Sequence, residues 1–113
     1  MRGKAKSAAI FLLLTLAATA GAEMLDGRAY RVVDGDTLMV LDGANRQREI
    51  RLFGIDAPEI TQAFGQNART ALTALAANQG LSAECRKLGA QDVCQVRIGG
   101  KDIALELDRK SVV

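Results

Sequence analysis

Apolar and polar residues follow an approximate two-residue period through the middle of the chain, beginning near Arg28. The pattern predicts strands over Arg28–Asp34, Thr37–Asp42 and Arg46–Ile55, where β-branched residues are frequent. An Asp-Gly pair opens the connection at 42–45, which predicts a hairpin turn between the second and third strands. These three segments therefore predict a meander of short strands.

The period changes to that of an α-helix between Gln62 and Gln79. The residues expected on its apolar face are Phe64, Ala68, Leu72, Leu75 and Ala76. Gly80 is placed to end this helix. Near the end of the chain, the segment KDIALELDRK predicts a short amphipathic helix whose apolar residues are Ile103, Leu105 and Leu107.

Two cysteines lie in a segment that predicts a second hairpin. A two-residue turn at Gly89-Ala90 would pair Leu88 with Gln91, and the same register places Cys85 opposite Cys94. Counted from the closing pair, this is a non-hydrogen-bonded pair, whose Cα atoms come close enough for a disulfide. We therefore predict a structural Cys85–Cys94 bond, the alternative being two free buried thiols.

The predicted order of elements is β-β-β-α-β-β-α. This order favours an α+β fold that is mainly β, namely a small five-stranded OB-fold barrel. One long helix follows the third strand, and a short helix ends the chain. A two-layer α+β sheet is the alternative.

The first 22 residues have the layout of a secretory signal peptide. Basic residues precede an apolar stretch, Ala8–Ala18, and small residues follow it up to Ala22. A membrane anchor is the alternative, but about 11 apolar residues fall short of the roughly 20 that span a bilayer. We therefore expect a leader over 1–22, a single domain over 23–113, and a secreted or periplasmic protein.

Charge and composition limit the chemistry of that domain. Without Arg2, Lys4 and Lys6, 12 basic and 13 acidic residues remain, so no overall positive field attracts nucleic acid and local arginines must do so. The chain contains no histidine, which excludes Ser-His-Asp and Cys-His catalysis and histidine-ligated zinc. Carboxylates, arginines, lysines and oxygen-ligated metals remain.

Two acidic clusters stand at predicted strand ends. DGDT contributes Asp34 and Asp36, and DAPE contributes Asp56 and Glu59. Either cluster alone is typical of a turn or a strand exit. In a meander, however, the end of strand three can fold back beside the start of strand two and bring these carboxylates near Arg51. Crowded carboxylates favour Ca²⁺ or Mg²⁺, and an arginine beside such a metal can bind a phosphate.

These residues carry a resemblance to a known family. VVDGDTLMV, IRLFGIDAPE and FGQNA resemble the staphylococcal-nuclease-like (thermonuclease) family over roughly 28–79. The resemblance implies an OB-fold barrel and an exported, Ca²⁺-dependent endonuclease that hydrolyses DNA and RNA phosphodiesters. The expected partner is therefore DNA or RNA, with no stable membrane association and a monomeric chain.

The resemblance also implies roles for individual residues. Asp36 and Asp56 would be the calcium carboxylates, with the backbone carbonyl of Ala57 as a third ligand. Arg51 would bind the scissile phosphate and offset charge in the transition state. Glu59 would position or deprotonate the attacking water. Asp34 flanks the site and is interpreted as structural.

The sequence departs from the family in two places. The family has a D-[KR]-Y-G-R loop between strands four and five, whereas only RKLGAQDV separates the cysteines here. Arg86 and Arg97 lie in the hairpin strands and are expected to point away from the site. LELDRKSVV begins like the family's next helix and then stops, so we expect a domain truncated at its C-terminus.

These departures leave two alternatives to an impaired nuclease. One is a non-catalytic OB-fold module that binds nucleic acid. Such modules stack bases on aromatic residues, and Phe53 and Phe64 are instead expected in the core. The other is a decayed nuclease fragment that is unstable on its own.

Overall fold

The computed structural model describes residues 21–113, so the predicted leader lies almost wholly outside the described residues. The elements in chain order are β1 Glu23–Asp34, β2 Thr37–Asp42, β3 Gln47–Leu52, α1 Gly65–Ala76, β4 Gly80–Leu88, β5 Gln91–Ile98, β6 Lys101–Asp102 and α2 Ile103–Arg109. Within this part of the chain, no helix is long and apolar enough to cross a membrane.

The strands form one sheet in the order β3-β2-β1-β4-β5-β6. A parallel pairing between β3 and β5 closes the first five strands into a barrel, and β6 adds a short ladder to β5. With two helices, this is the mainly β, OB-like α+β fold predicted from the order of elements. The predicted two-layer alternative is wrong because β3 and β5 are paired.

Alternate residues of the strands fill the barrel, as their pattern predicts. Leu38, Val40, Ile50 and Val96 are each at most 1% exposed. Helix α1 covers the barrel with a stripe of buried residues at helical spacing, listed here in order: Gly65, Ala68, Leu72 and Ala76. The apolar residues of the strands therefore build the core, and their charged ends remain at the barrel rim.

Strand β1 starts earlier than its own pattern predicts and carries two bulges. Its first half pairs with β4 in the register Glu23↔Cys85 to Arg28↔Gly80, so a distant partner sets where the strand begins. Against β2 the register skips one residue at Tyr30 and another at Val33. A bulge lets neighbouring side chains point outward together, and Tyr30 and Arg31 are both exposed.

The hairpin and its disulfide are confirmed. Leu88 pairs with Gln91, and Cys85 pairs with Cys94 across the ladder. The two cysteines are bonded, with their Cα atoms 4.1 Å apart and both side chains buried. The disulfide therefore ties together β4 and β5 inside the core.

The prediction that Phe53 and Phe64 belong to the core is wrong, since they are 64% and 76% exposed. Strand β3 ends at Leu52, earlier than predicted, and the chain turns at Gly54 with φ +88°, which leaves Phe53 beyond the barrel. Phe64 is the N-cap of α1 with a left-handed φ of 64°, so it precedes the buried stripe. The helix is also shorter at both ends than predicted.

Helix α2 begins at Ile103, and the side chain of its N-cap, Asp102, accepts a hydrogen bond from the Leu105 amide at 3.2 Å. Ile103 and Leu107, four residues apart, are buried. Leu105 was expected to be apolar contact surface, but it lies halfway between them in sequence. It therefore points away from their face and is 57% exposed.

Candidate functional site

The candidate site forms where the β1–β2 turn meets the end of β3. Thr37 pairs with Arg51 in the antiparallel ladder, and the Leu52 amide donates to the Asp36 carbonyl at 2.8 Å. The end of β3 therefore lies beside the start of β2, as expected for the meander. This pairing brings Asp36 and Arg51 to the same rim of the barrel.

The Asp36 carboxylate is nearly buried, with its side chain 9% exposed. Its Oδ1 accepts a hydrogen bond of 2.8 Å from the Thr37 hydroxyl, and its Oδ2 accepts one of 3.1 Å from the Ala57 amide. The Ala57 bond fixes the loop after β3 to the turn after β1. These bonds fix the orientation of the Asp36 carboxylate.

Arg51 lies between the two predicted metal carboxylates. One nitrogen, Nη2, is 3.1 Å from Asp56 Oδ1 and 3.6 Å from Asp36 Oδ2. The Asp56 side chain is 91% exposed, whereas that of Arg51 is 34% exposed. The carboxylates of Asp36 and Asp56 therefore both lie near the Arg51 guanidinium. Their negative charges favour a positive charge at this place.

Glu59 shares a cavity of about 280 Å³ with these residues. It is exposed, and its amide donates to Gln62 Oε1 at 2.7 Å. A Cβ on Gly65 would collide with the Glu59 carbonyl, so the missing side chain at the start of α1 lets the Glu59 segment pack there. The helix therefore helps to fix where Glu59 stands.

Asp34 and Gly35 shape the turn that carries Asp36. Asp34 Oδ1 accepts a hydrogen bond from the Asp36 amide at 3.2 Å. Burial, together with the neighbouring Asp36 carboxylate, raises the pKa of Asp34. A Cβ on Gly35 would lie 2.5 Å from the Ala68 Cβ and 2.7 Å from the Ala57 Cβ, so only glycine fits between α1 and the loop.

The donor set agrees with an oxygen-ligated divalent cation by its chemistry. Within residues 21–113, no group of three or more His, Cys, Asp or Glu side chains is arranged to hold a metal ion. The carboxylates of Asp36 and Asp56 are available as metal ligands. Main-chain oxygens, water or a substrate phosphate would supply the remaining ligands. Hard cations such as Ca²⁺ and Mg²⁺ accept such mixed oxygen ligands.

The hairpin brings an amide, not an arginine, to the site. Gln91 lines the cavity, and neither Arg86 nor Arg97 does. Arg86 is 3.9 Å from Glu84 with its side chain 66% exposed, and Arg97 pairs with Ser82 in the ladder. Sequence reasoning missed Gln91, and the only signal for it was its place directly after the hairpin turn.

A larger groove opens beside the cavity and was not predicted. It measures about 950 Å³, and Asp56, Ala57 and Glu59 line both spaces. Its other wall includes the exposed Phe64 and the last residues of the chain, 111–113. The site therefore continues into open surface on one side.

The sequence of this chain is similar to those of several known proteins. The micrococcal nuclease of Shigella flexneri is 43% identical over 77 residues, which is 67% of this chain and 41% of its own length. Protein ParB of Escherichia coli is 46% identical over 70 residues, 62% of this chain and 38% of its own. An uncharacterized endonuclease of Haemophilus influenzae is 38% identical over 66 residues, 58% of this chain and 37% of its own.

The fold and the candidate site together define an OB-type barrel with an acidic cleft that contains an arginine. Relatives of this class of protein carry nuclease names. The chain belongs to the staphylococcal-nuclease-like family, which confirms the resemblance drawn from DGDT and DAPE. No family model matches the chain. The chain spans about two fifths of the length of the curated relatives it matches.

Proposed function

We propose that this protein is a metal-dependent nuclease that hydrolyses phosphodiester bonds in DNA or RNA. The observation that carries the proposal is the position of Arg51 Nη2 between Asp56, at 3.1 Å, and Asp36, at 3.6 Å, in the cavity that Glu59 also lines. A phosphodiester brings a negative charge that the guanidinium can bind. The nuclease names of the relatives support the same substrate class.

Calcium is the metal we propose. Asp36 and Asp56 would hold it through their carboxylates and Ala57 through its carbonyl, with water and substrate completing the shell. The bound ion would supply Lewis-acid polarisation of the phosphoryl oxygen. The nearly buried Asp36, already fixed by Thr37 and Ala57, is a preorganised ligand, and the exposed Asp56 can adjust its side chain.

The remaining chemistry is assigned to Arg51 and Glu59. The Glu59 carboxylate takes a proton from water as the water oxygen bonds to phosphorus. The bond from phosphorus to the leaving sugar oxygen breaks, and that oxygen takes up a proton from solvent. Arg51 donates hydrogen bonds to the phosphoryl oxygens, on which charge grows in the transition state.

A non-catalytic nucleic-acid-binding module is the second candidate. The observation that favours it is the short β4–β5 turn, which brings Gln91 to the cavity and no further arginine. Loss of one transition-state contact of this kind lowers kcat about 10²–10³-fold. The proposed nuclease is therefore expected to be slow.

The test is cleavage of a fluorescently labelled DNA strand in Ca²⁺ and in EGTA. The wild type is expected to cleave the strand in Ca²⁺ and not in EGTA. Glu59→Gln is expected to bind the strand without cleaving it. Glu84→Gln makes the same change on β4, away from the cavity, and is expected to cleave normally. Binding without cleavage by the wild type identifies the module, and cleavage by Glu59→Gln at the wild-type rate contradicts the role of Glu59.

We also propose that the protein is exported. Its first 22 residues have the pattern of a signal peptide, and a disulfide between Cys85 and Cys94 suits an oxidising compartment. Cell fractionation and N-terminal sequencing are expected to find a chain beginning at Glu23 outside the cytoplasm. A full-length cytoplasmic chain would contradict the proposal.

A further inference from the structure

A second groove lies against α1, on the outer surface of β1. It measures about 370 Å³ and is lined mainly by polar and aromatic side chains, among them Tyr30 and Arg31 from β1 and Gln66, Arg69 and Thr70 from α1. None of these residues lines the cavity around Arg51. The function proposed above therefore leaves this surface without a role.

The β1 bulge creates one wall of the groove. Along a regular strand, neighbouring side chains face opposite sides, yet Tyr30 and Arg31 are both exposed between the buried Ala29 and Val32. The register skips Tyr30 between the pairs Ala29↔Val40 and Arg31↔Met39. The extra residue therefore places an aromatic ring and a guanidinium side by side on the surface.

Helix α1 supplies the other wall. Gln66, Arg69, Thr70 and Thr73 recur at helical spacing and form a polar stripe beside the buried stripe of the same helix. Arg69 Nε donates to the Val32 carbonyl at 3.2 Å, which fixes this guanidinium against β1. The arginine is thus held where its remaining donors can reach the groove.

The charges of the groove are uncompensated. Within residues 21–113, neither Arg31 nor Arg69 forms an ion pair, whereas Arg51 is paired with two carboxylates. Among the residues that the structure describes, no carboxylate lines the groove. In a domain with more acidic than basic residues, two unpaired guanidiniums around one groove favour an anionic ligand.

The groove and the candidate site are lined by consecutive residues of β1. Val32 lines the groove, and the next residues, Val33 and Asp34, line the cavity around Arg51. Arg31 and Asp34 are three positions apart along the strand, a path of roughly 10 Å. A nucleic-acid strand that passes Asp34 in the cavity can cover that distance with a few nucleotides.

We propose that this groove binds a segment of single-stranded nucleic acid a few nucleotides away from the cleaved bond. The face of a base stacks on Tyr30, and Arg31 and Arg69 hold the adjoining phosphates. The occupant is single-stranded because a duplex hides the faces of its bases within the stack. The inference rests on the proposed function, since it takes nucleic acid to be the substrate.

The test is fluorescence anisotropy with a labelled twelve-nucleotide thymidine strand in EGTA, measured on the full chain over a range of salt concentrations. Tyr30→Ser is expected to weaken binding about 5–150-fold, the range for loss of one stacked base. Tyr30→Phe keeps the ring and is expected to bind like the wild type. If Tyr30→Ser binds as tightly as the wild type, the proposal is overturned.

The arginines are tested through the salt dependence. Arg31→Gln and Arg69→Gln are each expected to reduce the slope of log K against log salt by about 0.7, the value for one phosphate contact on a single strand. Arg97→Gln removes the same charge from β5, outside the groove, and is expected to leave the slope unchanged. Equal slopes for all three variants would overturn the proposal.

Because Arg69 also binds the Val32 carbonyl, its substitution can disturb folding. In that case the salt dependence of the Arg31 variant decides the question, since Arg31 is exposed.

The outcomes separate this proposal from the nuclease proposal. A wild type that binds but does not cleave contradicts the nuclease, and the Tyr30 and Arg31 variants still test the groove. If the wild type cleaves and the groove variants bind normally, the groove proposal alone is overturned. A wild type with no measurable affinity for the strand also overturns the groove proposal.

Discussion

The Ala57 amide donates a hydrogen bond of 3.1 Å to Asp36 Oδ2, and this bond joins two acidic segments that are 21 residues apart in the chain. Asp36 belongs to the turn after β1, and Ala57 to the loop after β3 that also carries Asp56 and Glu59. The same carboxylate oxygen lies 3.6 Å from Arg51. Asp36 is therefore the residue through which the parts of the site are held together.

Substitution of Asp36 separates its structural role from its charge. Asp36→Ala leaves the Ala57 amide without its acceptor and is expected to lower the free energy of unfolding by about 1–3 kcal/mol. Asp36→Asn keeps an acceptor oxygen at that position and is expected to lose less. Urea unfolding in EGTA measures both. Equal losses for the two variants would contradict this role of the hydrogen bond.

Gly35 is expected to tolerate no side chain. A Cβ there would lie within 2.7 Å of the Cβ atoms of both Ala57 and Ala68, so Gly35→Ala forces the loop away from α1. The expected cost is about 1–3 kcal/mol in the free energy of unfolding, with a fall in DNA cleavage. Gly43→Ala is the matched control, since no atom lies within 4 Å of a Cβ at that turn. Similar effects of both changes would contradict the packing argument.

The disulfide is expected to contribute a large part of the stability of this small domain. Cys85 and Cys94 enclose a loop with a sequence separation of 9, for which the loss of loop entropy in the unfolded chain is worth about 2–4 kcal/mol. The double variant Cys85→Ala/Cys94→Ala is expected to unfold at correspondingly lower urea. Reductant should destabilise the wild type and leave the double variant unchanged. A broad, non-cooperative transition in the oxidised wild type would support the decayed-fragment alternative.

Stability is expected to fall in acid partly through Asp42. The backbone amide of Arg46 and that of Ala44, together with the positive charge of Arg46, hold the pKa of Asp42 below its usual value of 3.8, although burial opposes them. Arg48 on β3 also lies 3.8 Å from this carboxylate. The folded state therefore binds fewer protons at this carboxylate than the unfolded state does. The contribution of Asp42 to the free energy of unfolding is complete above its pKa in the unfolded state. It is lost as the pH falls through the lower pKa of Asp42 in the folded state.

Urea unfolding between about pH 6 and pH 2 measures this contribution. Asp42→Asn is expected to be less stable than the wild type at neutral pH and to show a smaller further loss in acid. The two curves should approach each other at the acid end of the range. Curves that stay parallel over the whole range would contradict the assignment.

Local sequence patterns correctly predicted those parts of the barrel whose structure depends on residues close together in the sequence. The alternation in Thr37–Asp42 gave the bounds of β2 correctly, and the two-residue turn at Gly89-Ala90 gave the register of the disulfide. These features depend on neighbours in the sequence. A five-stranded barrel was expected from the order of elements and is confirmed, and the structure shows that β3 and β5 close it.

Features that depend on distant partners were not predicted. The bulge at Tyr30 lies just beyond Arg28, where the ladder with β4 ends and the ladder with β2 continues, and no local signal marks it. Phe64 fits the helical period, but the glycine that follows it begins the helix and leaves the ring outside. The convergence of Asp36, Asp56 and Arg51 was expected from the meander and from the family resemblance, whereas the bond from Ala57 to Asp36 required the structure.

The proposed metal site requires Asp36 and Asp56 to bind one divalent ion together, beside Arg51. Calorimetric titration of Ca²⁺ into the wild type, Asp36→Asn and Asp56→Asn measures this binding. We expect one ion per wild-type chain and loss of that binding in each variant, with both variants still folded. Calcium binding that survives either substitution unchanged, or a folded wild type that binds no calcium, would contradict it.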